Sequence, residues 1–403
     1  MARVVLGVTG GIAAYKACHL VRLFKESGDD VVVVPTANAL QFVGAATWEA
    51  LSGSPVSASV FSDVPNVRHV SLGTNADLVL VAPATADILS RAATGRADDL
   101  LTNVLLTASC PLLFAPAMHT QMWLNPATVE NVAKLRSYGR VVLEPGSGRL
   151  TGKDTGPGRF PEPEDIFATA MAVLVEPRLA AVMSGHDLAG KRVVVSAGGT
   201  HEAIDPVRFI GNSSSGKMGM AIARAARARG AEVSVVGANL QIPPTAGIEV
   251  DTVRSTSELA EAMEAKAKQA DIVVMAAAPA DFTPCTRSET KLKKVGDQGL
   301  VLELQQTQDV LAKLGKQRRD GQVIVGFAAE TASSAADLEQ KGRDKLARKG
   351  ADLLVLNDVS GGRVFGEDTD SVQIIDSVST VDRVEASKDV VAHHILDCAK
   401  GKL

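Results

Sequence analysis

The sequence predicts an α/β protein built from two tandem Rossmann-like domains, and three observations support this fold class. An apolar, β-branched run that leads into a glycine turn begins the chain, RVVLGVTGG at 3–11, and a second one, RVVVSAGGT, occupies 192–200. After each start, apolar runs alternate with helix-like segments, which is the pattern of parallel strands joined by helices. The length, 403 residues, exceeds what one hydrophobic core organises.

The first half contains five predicted strands, each apolar along its whole length. Continuous apolar character indicates a parallel sheet covered by helices on both faces. The amphipathic stretch from Ile12 to Ser27 and the segment ADILSRAATG predict two of those helices. The predicted strands are 3–8, 30–36, 76–85, 110–118 and 139–145.

A glycine- and proline-rich segment, 144–165, follows these strands. Because nothing in it favours a regular element, it is predicted to be a long functional loop. A helix is expected at 166–175, and 176–191 is expected to connect the two halves. The predicted organisation is a first domain at 1–178, a linker at 179–190 and a second domain at 191–403.

The second half repeats the alternation of strands and helices with different loops. We therefore expect a second parallel-sheet domain of similar architecture rather than a copy of the first. Its predicted strands are 192–199, 232–238, 271–280, 322–330, 351–358 and 371–377.

Composition and charge favour a cytoplasmic protein that handles small molecules. The net charge of −4 and an aromatic content of 3% argue against a nucleic-acid surface. No apolar run approaches the length of a membrane span, and the start MARVVLGV lacks a signal-peptide pattern. The four cysteines form no C-x-x-C pair, which argues against a zinc site or disulfide framework and fits a reducing cytoplasm. They are Cys18, Cys110, Cys285 and Cys398.

The first glycine turn, GVTGGIAAYK, favours a mononucleotide over a dinucleotide. It lacks the G-x-G-x-x-G spacing, and the second strand ends in Pro35-Thr36 where an NAD site needs an acidic residue. A glycine turn at a helix N-terminus can still hold a phosphate, as in FMN. On this pattern alone, an ordinary tight turn between strand and helix is an equal alternative.

The first half resembles the flavin-dependent cysteine decarboxylases of coenzyme A synthesis, which are flavodoxin-like flavoproteins of the HFCD type. The resemblance rests on GVTGGIAAYK, HVSL, APATAD, ADDLLTN, PAMHTQMW and TGKDTGPGR, in order across residues 1–175. It implies that His69, which we expect just before a strand, is the catalytic base. It also implies an FMN site at Gly10, Gly11, Ile12, Thr36, Pro83, Ala84, Thr85 and Asp98.

This chain departs from that family's pattern at two positions. The usual motif is P-A-M-N, whose asparagine holds the substrate carboxylate, and here His119 takes that place. An imidazole can donate the same hydrogen bond, so His119 is expected to bind the carboxylate. The family's substrate flap carries a cysteine for the reductive step, whereas the flap here is Thr151, Gly152, Lys153 and Asp154. Lys153, Asp154 or solvent could supply the proton instead, or the final reduction could be impaired.

The segment GNSSSGKMG, 211–219, begins like a phosphate-binding P-loop and then departs from it. Met218 stands where a hydroxyl should bind magnesium, and HEAIDPVRFI separates the segment from the preceding predicted strand. We therefore predict a serine- and glycine-rich loop that opens a helix and suits an anion.

The second half resembles the CTP-using bacterial type of phosphopantothenate–cysteine ligase. The matching stretches are SAGGTHEAIDPVRFIGNSSSGKMG, AAAPADF, KLKK, GFAAET and KLARKGADLLVLND, from about residue 190 onward. The resemblance implies that Lys291 stabilises the phosphates and that Asn212, with Arg208, holds the acyl intermediate. It implies nucleotide contacts at Met275, Ala276, Ala277, Asp281, Lys291, Asp309, Phe327, Lys345 and Lys349.

Two of these assignments depend on the resemblance alone. KLKK by itself is typical of a solvated charge run, and Lys341, Lys345 and Lys349 follow a spacing common on exposed helices. The family's N-P-D-I stretch is TQDV here, which keeps Asp309 and loses the proline.

Together the two resemblances predict a bifunctional enzyme of coenzyme A synthesis. The second half would join 4′-phosphopantothenate to cysteine with CTP and Mg²⁺, and the first half would decarboxylate the product with FMN. The resemblance also implies a homo-oligomer, with decarboxylase trimers and ligase dimers combined into a dodecamer. Two alternatives are a nicotinamide-linked reductase and a ligase fused to a non-catalytic flavin-binding regulatory domain.

Overall fold

The computed structural model describes residues 1–59, 67–149, 154–293, 299–330, 334–358 and 368–403. The chain separates into two compact units. The first comprises 1–187 together with 245–247, and the second comprises 188–244 and 248–403.

The first unit is an α/β unit with one parallel sheet. Its sheet strands are β1 (Arg3–Val8), β2 (Asp30–Pro35), β3 (Leu78–Ala84), β4 (Leu112–Pro116) and β5 (Val141–Val142). Within the described residues they form a five-stranded sheet in the order β2-β1-β3-β4-β5, all parallel. This is the flavodoxin-like order, in which successive strands are added on one side of β1 and then, from β3 onward, on its other side. The predicted fold class and all five predicted strands are confirmed.

Helices cover the sheet because each presents an apolar stripe to it. Helix α1 (Ala14–Glu26) buries Leu20, Val21 and Phe24 completely, and each such side chain contributes roughly 1.5–3 kcal/mol. The other helices are α2 (Ala45–Ser52), α3 (Arg68–Thr74), α4 (Ala86–Thr94), α5 (Leu100–Thr107), α6 (Thr120–Trp123), α7 (Pro126–Ser137), α8 (Pro163–Val175) and α9 (Arg178–Ser184). Helix α9 lies in the segment predicted as a linker, and the linker bounds, 179–190, stay a prediction.

Two sequence predictions about the first unit are wrong. His69 lies inside helix α3 rather than before a strand. This helix packs closely against α5, since a Cβ on Gly73 would lie 2.2 Å from the hydroxyl oxygen of Thr107. The glycine- and proline-rich segment also contains a regular element. It forms an antiparallel hairpin of β6 (Gly146–Arg149) and β7 (Thr155–Arg159), since glycines at positive φ fit an extended, strongly twisted ribbon.

The second unit has a larger, mixed sheet. Its main strands are β8 (Arg192–Gly198), β11 (Glu232–Ala238), β12 (Glu249–Val253), β13 (Ile272–Met275), β16 (Val323–Glu330), β17 (Leu353–Asp358), β18 (Thr369–Ile375) and β19 (Thr380–Ser387). Among the described residues the order is β12-β11-β8-β13-β16-β17-β18-β19. The first six strands are parallel in the Rossmann order, and β18 and β19 extend the sheet antiparallel. The predicted parallel sheet is therefore confirmed up to β17.

Two hairpins and five helices complete the described part of the second unit. The hairpins pair β9 (His201–Ala203) with β10 (Phe209–Gly211) and β14 (Phe282–Pro284) with β15 (Leu304–Gln306). Strand β10 directly precedes GNSSSGKMG, so the expectation that no strand does so is wrong, although β10 lies outside the main sheet. The helices are α10 (Lys217–Ala228), α11 (Thr256–Ala267), α12 (Val310–Gln317), α13 (Ala335–Lys349) and α14 (Lys388–Lys400).

Candidate active sites

The predicted flavin-binding residues gather at the carboxyl ends of β1, β2 and β3. Thr9, which follows β1, donates its hydroxyl to the Pro83 carbonyl at 2.7 Å and accepts the Thr85 amide at 3.2 Å. These bonds join the ends of β1 and β3 across the switch point, where open α/β sheets bind ligands. The amide of Thr36 donates to the Val8 carbonyl at 2.9 Å and adds the end of β2.

The glycine turn after β1 has the small size that a backbone cradle needs. A Cβ on Gly10 would lie 2.4 Å from the Cβ of Asn38, so the turn tolerates only glycine there. At Gly11 a Cβ would meet nothing closer than Thr85 at 3.8 Å, which leaves the backbone accessible. No side chain of the described residues caps the start of α1, although the amides of Ala14 and Lys16 donate to the carbonyls of Gly11 and Ala13 at 2.9 and 3.0 Å. Ile12, in the same turn, is 64% exposed.

His69 has one unusual atom. Its Nδ1 is buried and has no hydrogen-bond partner among the described residues, while its carbonyl accepts the Thr107 hydroxyl at 3.0 Å. The backbone is therefore fixed and one ring nitrogen is unpaired, which is the arrangement expected when a ligand supplies the missing partner. No hydrogen bond or ion pair of the described residues links His69 to the strand ends or to His119.

His119 lies where β4 ends, next to the hairpin of β6 and β7. It is exposed and precedes α6, whose Met122 and Trp123 amides donate to its carbonyl at 2.9 and 3.0 Å. The hairpin lies against the same loop, since the Met118 amide donates to the Gly158 carbonyl at 2.9 Å. The structure thus brings the base of the predicted flap to His119. Of the flap residues, Asp154 is exposed, and Thr151, Gly152 and Lys153 lie outside the described residues.

Asp98, also predicted to bind flavin, belongs to an ion-pair cluster in the loop between α4 and α5. Its carboxylate binds Arg91 at 2.8 Å and Arg96 at 2.7 Å, and Arg91 also binds Asp87 and Asp99. The hydrogen bond from Arg91 lowers the pKa of Asp98 below its ordinary value. Sequence reasoning did not identify this cluster, and a flavin contact at Asp98 stays a prediction.

The second unit has a cleft of about 670 Å³ at the switch point between β8 and β13. It is lined by the loop that follows β13, the loop before α10 and the starts or ends of α12 and α13. Nine of the eleven predicted site residues of this unit line it, namely Asn212, Met275, Ala276, Ala277, Asp281, Asp309, Phe327, Lys345 and Lys349.

The loop after β13 is held by buried hydroxyls that sequence reasoning missed. Thr200 accepts the Ala280 amide at 2.8 Å and lies 2.9 Å from the hydroxyl of Thr256, and both threonines are almost completely buried. Thr307 donates to the Ala280 carbonyl at 2.6 Å, and Ser196 accepts the Ala277 amide at 3.1 Å. A run of threonines and serines has no periodic signature, so only long-range contact reveals this network.

Asn212 is placed at the cleft by one specific bond. Its side-chain amide donates to the Pro279 carbonyl at 2.8 Å, which leaves its carbonyl oxygen for a ligand donor. The backbone of Asn212 packs closely against Gly199, because a Cβ on Gly199 would lie 2.4 Å from the backbone carbonyl oxygen of Asn212.

The lysines predicted to meet the triphosphate are each paired with a carboxylate. Lys345 binds Glu330 at 2.9 Å, and Lys349 binds Asp309. Burial opposes ionisation of Asp309, but the hydrogen bonds from Lys349 and the Ala312 amide dominate and hold its pKa below the ordinary value. Asp309 thereby also caps α12, with its oxygen 3.0 Å from the Ala312 amide. Both lysines line the cleft.

A cluster of buried polar side chains also lines the cleft. Asn357 donates to both carboxylate oxygens of Asp370 at 3.0 and 3.1 Å, and Lys388 lies beside them with 8% exposure. Burial raises the pKa of Asp370 despite the opposing effects of Lys388 and Asn357. These residues line the cleft, and the sequence analysis did not select them.

Lys291 and Arg208, the two remaining predicted site residues, are near each other and outside the lining of this cleft. The Arg208 guanidinium donates to Asp205 at 2.9 Å and to the carbonyl of Leu292 at 3.1 Å. Lys291 is exposed in the loop that this bond holds.

Across the part of the chain that the structure describes, no three His, Cys, Asp or Glu side chains are grouped to bind a metal ion. Over the same residues, no helix combines the length and apolar character that crossing a membrane requires.

Fold and sites together define the class of protein. Each is an α/β unit whose parallel strands leave a candidate ligand-binding edge at a switch point, with a glycine turn in the first unit and a cleft lined by lysines and carboxylates in the second.

Comparisons with known proteins agree with this division. Residues 1–175 match the family described as Flavoprotein, and residues 188–402 match the family described as DNA/pantothenate metabolism flavoprotein C-terminal domain. The coenzyme A biosynthesis bifunctional protein CoaBC of Mycobacterium tuberculosis is 54% identical over 402 residues, covering 98% of this chain and 95% of that protein. The Bacillus subtilis protein of the same name is 42% identical over 375 residues, covering 92% and 89%.

A solved structure of the C-terminal domain of a coenzyme A biosynthesis bifunctional protein CoaBC is also similar. It has 33% sequence identity and a TM-score of 0.44, covering 54% of this chain and 97% of its own.

The chain belongs to the CoaBC family of bifunctional coenzyme A biosynthesis proteins. It is a bifunctional enzyme, with a flavoprotein decarboxylase half, which is a lyase, and a ligase half. The family favours neither a nicotinamide-linked reductase nor a ligase fused to a non-catalytic flavin-binding domain.

Proposed function

We propose that the second unit activates 4′-phosphopantothenate with CTP and joins it to cysteine, and that the first unit decarboxylates the product with FMN. The observation that carries the ligase half is the cleft at the switch point, which combines two lysine charges with the held loop 275–281. The 4′-phosphopantothenate carboxylate would attack the α-phosphorus of CTP, and pyrophosphate would leave. The cysteine amine would then attack the acyl carbon, lose a proton and displace CMP.

The charges of the cleft suit that sequence of steps. Pyrophosphate leaves as an anion, so Lys345 and Lys349 are placed to neutralise it, in exchange for Glu330 and Asp309. Asn212 would hold the acyl group, and the backbone around Met275, Ala276 and Ala277 would contact the nucleotide with Phe327 and Asp281. We assign Lys291 to the phosphates during activation and Arg208 to the acyl intermediate.

Mg²⁺ would enter with the nucleotide. This ion usually binds through phosphate oxygens and one or two carboxylates rather than a cage of protein ligands. Asp281 and Asp309 are the carboxylates of the cleft among the predicted nucleotide contacts.

The first unit fits FMN on structural grounds. The Gly10 turn has no space for a side chain, no described side chain caps the start of α1, and the ends of β1 and β3 are joined through Thr9. Gly11, Ile12, Thr36, Pro83, Ala84 and Thr85 would surround the group, with Asp98 nearby. When bound, FMN supplies an electron sink, taking an electron pair from the thiol end of the substrate and later returning it.

The protein residues of the decarboxylase half would position and protonate. His69, whose Nδ1 has no hydrogen-bond partner in the described part of the chain, would move the proton, and His119 would donate a hydrogen bond to the substrate carboxylate. The flap would cover the substrate from the hairpin of β6 and β7. We propose that Asp154, Lys153 or solvent delivers the last proton in place of the missing cysteine.

We further propose a cytoplasmic homo-oligomer, with decarboxylase trimers and ligase dimers in a dodecamer, as the resemblance implies. Large apolar side chains on the surface support association. In the first unit they include Ile12, Tyr15, Phe42, Leu106, Met122 and Leu124, and in the second Val207, Phe209, Phe282 and Val301.

One assay tests the proposed function. The purified protein should be yellow and, given 4′-phosphopantothenate, cysteine, CTP and Mg²⁺, should release pyrophosphate and carbon dioxide. Pyrophosphate without carbon dioxide would support only the ligase half. A colourless protein that releases neither would overturn the proposal.

A further inference from the structure

Asp205 is a buried carboxylate with four hydrogen-bond donors. It lies in the turn between β9 and β10, and its side chain is completely buried. Burial by itself disfavours the charged form, but three backbone amides and Arg208 outweigh it and hold the pKa of Asp205 below its ordinary value. A buried carboxylate with this many donors is costly to remove, so the turn needs it in the ionised form.

The two oxygens of Asp205 have separate partners. Oδ1 accepts the amides of Val207 and Arg208, both at 2.7 Å, and so forms the turn itself. Oδ2 accepts the Arg208 guanidinium at 2.9 Å and the amide of Leu292 at 3.1 Å. Only Oδ2 therefore reaches outside the turn, to a residue 87 positions later in the chain.

Leu292 lies between Lys291 and Lys293, in a loop whose described residues 288–293 are called the lysine-rich loop below. Arg208 donates to its carbonyl at 3.1 Å, so both backbone groups of Leu292 are bound by the same Asp205–Arg208 pair. A third bond, from the Ser288 amide to the Ile204 carbonyl at 3.0 Å, ties the start of the loop to the same turn. A solvated charge run would have no such attachments to a buried carboxylate.

We infer that Asp205 is a positioning residue for the ligase reaction, which acts by holding the backbone of Leu292 and so fixing the base of Lys291. Arg208 completes the clamp on the carbonyl side. The inference rests on the proposed role of Lys291 in stabilising the phosphates, because a flexible lysine would have to be ordered in each catalytic cycle. A charged group that is displaced by about 1 Å can cost on the order of 100-fold in rate.

Asp205→Asn replaces one of the two carboxylate oxygens by an NH₂ group and so tests the roles of Oδ1 and Oδ2 separately. An asparagine keeps one acceptor for the amides of Val207 and Arg208, and asparagine is common in such turns. Its NH₂ group, however, faces the Leu292 amide, so two donors meet and the clamp opens. The matched control is Asp376→Asn, since Asp376 accepts the amides of Val378 and Ser379 and the ammonium of Lys402 and has no hydrogen bond or ion pair to the described residues 288–293.

Two measurements test the inference on the full-length enzyme. Hydrogen–deuterium exchange of residues 288–293 should be about 10-fold faster in Asp205→Asn and unchanged in Asp376→Asn, since the Leu292 amide loses its acceptor. The kcat for pyrophosphate release from CTP should fall roughly 10- to 100-fold in Asp205→Asn, with a smaller change in the KM for CTP.

A double-mutant cycle with Lys291→Gln distinguishes positioning from a general structural effect. If Asp205 acts through Lys291, then Asp205→Asn should reduce kcat by less than about 2-fold in the Lys291→Gln background. An equal reduction in both backgrounds would overturn the inference. So would unchanged exchange in 288–293.

If Asp205→Asn does not fold, Asp205→Ser replaces it, because a serine hydroxyl can still accept the turn amides but is too short to reach Leu292. The expected results are the same. If the wild type released no pyrophosphate, or Lys291→Gln kept full activity, the proposed role of Lys291 would fail. The exchange experiment would then still show whether Asp205 holds the loop.

Discussion

At the scale of single residues, both sites depend on side chains whose usual partners are absent or shared. His69 keeps a buried, unpaired ring nitrogen among the described residues, and Lys349 is held by a carboxylate that a phosphate would have to replace. A buried, unpaired polar atom is costly without a ligand, whereas the Lys349–Asp309 pair stays satisfied until a phosphate displaces the carboxylate. These residues are therefore where substitutions should change chemistry more than folding.

His69→Asn should reduce carbon dioxide release from 4′-phosphopantothenoylcysteine by about 10²- to 10⁴-fold, the usual contribution of a general base. Pyrophosphate release by the ligase half should not change. Both products are measured on the same purified protein. His19→Asn is the control, since Glu164 on the surface is the one ion-pair partner of His19 among the described residues; equal losses in the two variants would contradict the role of His69.

Lys349→Met should raise the KM for CTP by roughly 10-fold or more, because it removes a charge-assisted contact and leaves Asp309 unpaired beside the phosphates. Initial rates of pyrophosphate release at varied CTP give the KM. Lys341→Met is the matched control, two turns earlier on the same helix and paired with Asp337. If both variants behave alike, the lysine spacing reflects only a solvated helix face.

At the scale of elements, short hairpins bring residues to the sites. The β6–β7 hairpin reaches the His119 loop, and the β9–β10 turn holds the lysine-rich loop. The first contact depends on backbone geometry, since Gly158 has φ +133 and a Cβ there would lie 2.2 Å from the Met118 carbonyl oxygen. The sheets position the loops, and the two hairpins contact the His119 loop and the lysine-rich loop.

Gly158→Ala should displace the hairpin from the His119 loop and lower carbon dioxide release by on the order of 10-fold, while pyrophosphate release continues. Gly139→Ala is the control, because Gly139 also has positive φ but open space around it. The rate of carbon dioxide release is measured for both variants. Equal rates in Gly158→Ala and Gly139→Ala would mean that the hairpin does not position the site.

Asp376 ties the β18–β19 turn to Lys402 near the chain end. The Lys402 hydrogen bond, with two turn amides, lowers the pKa of Asp376 to about 2 from the ordinary 3.8. The folded-state pKa lies below the unfolded value, so its stabilisation is present above about pH 4 and is lost as the pH falls toward 2. Urea unfolding should therefore show a gap between wild type and Asp376→Asn at pH 6 that narrows at pH 3. A constant gap would exclude this origin.

At the scale of the whole molecule, each unit carries its own sheet, core and ligand-binding edge. The proposed intermediate, 4′-phosphopantothenoylcysteine, is a small soluble molecule, so either unit can act on material that another chain has made. Chemistry in one half therefore should not require an intact site in the same chain.

A mixture of the His69→Asn and Lys349→Met proteins tests this independence. At subsaturating CTP each variant alone should release little carbon dioxide from 4′-phosphopantothenate, cysteine and CTP, and the mixture should release clearly more. The rate should fall on dilution, because the intermediate must diffuse. If mixing restores nothing while each variant keeps its expected single activity, transfer occurs within one chain.

The sequence by itself determined the five strands of the first sheet, six of the eight described strands of the second and the glycine turns, because continuous apolar runs and glycine turns are local signals. Most of the cleft lining followed from the family resemblance instead. Predictions from the sequence failed where long-range packing overrides local preference. His69 became helical against α5, and the glycine-rich segment paired into a hairpin. Only the tertiary structure decided that Asp205 binds Leu292 and that Thr200 holds the loop at Ala280, since hydrogen bonds between distant residues have no sequence period. Strands follow from local hydrophobicity, whereas a site is assembled from contacts that only folding creates.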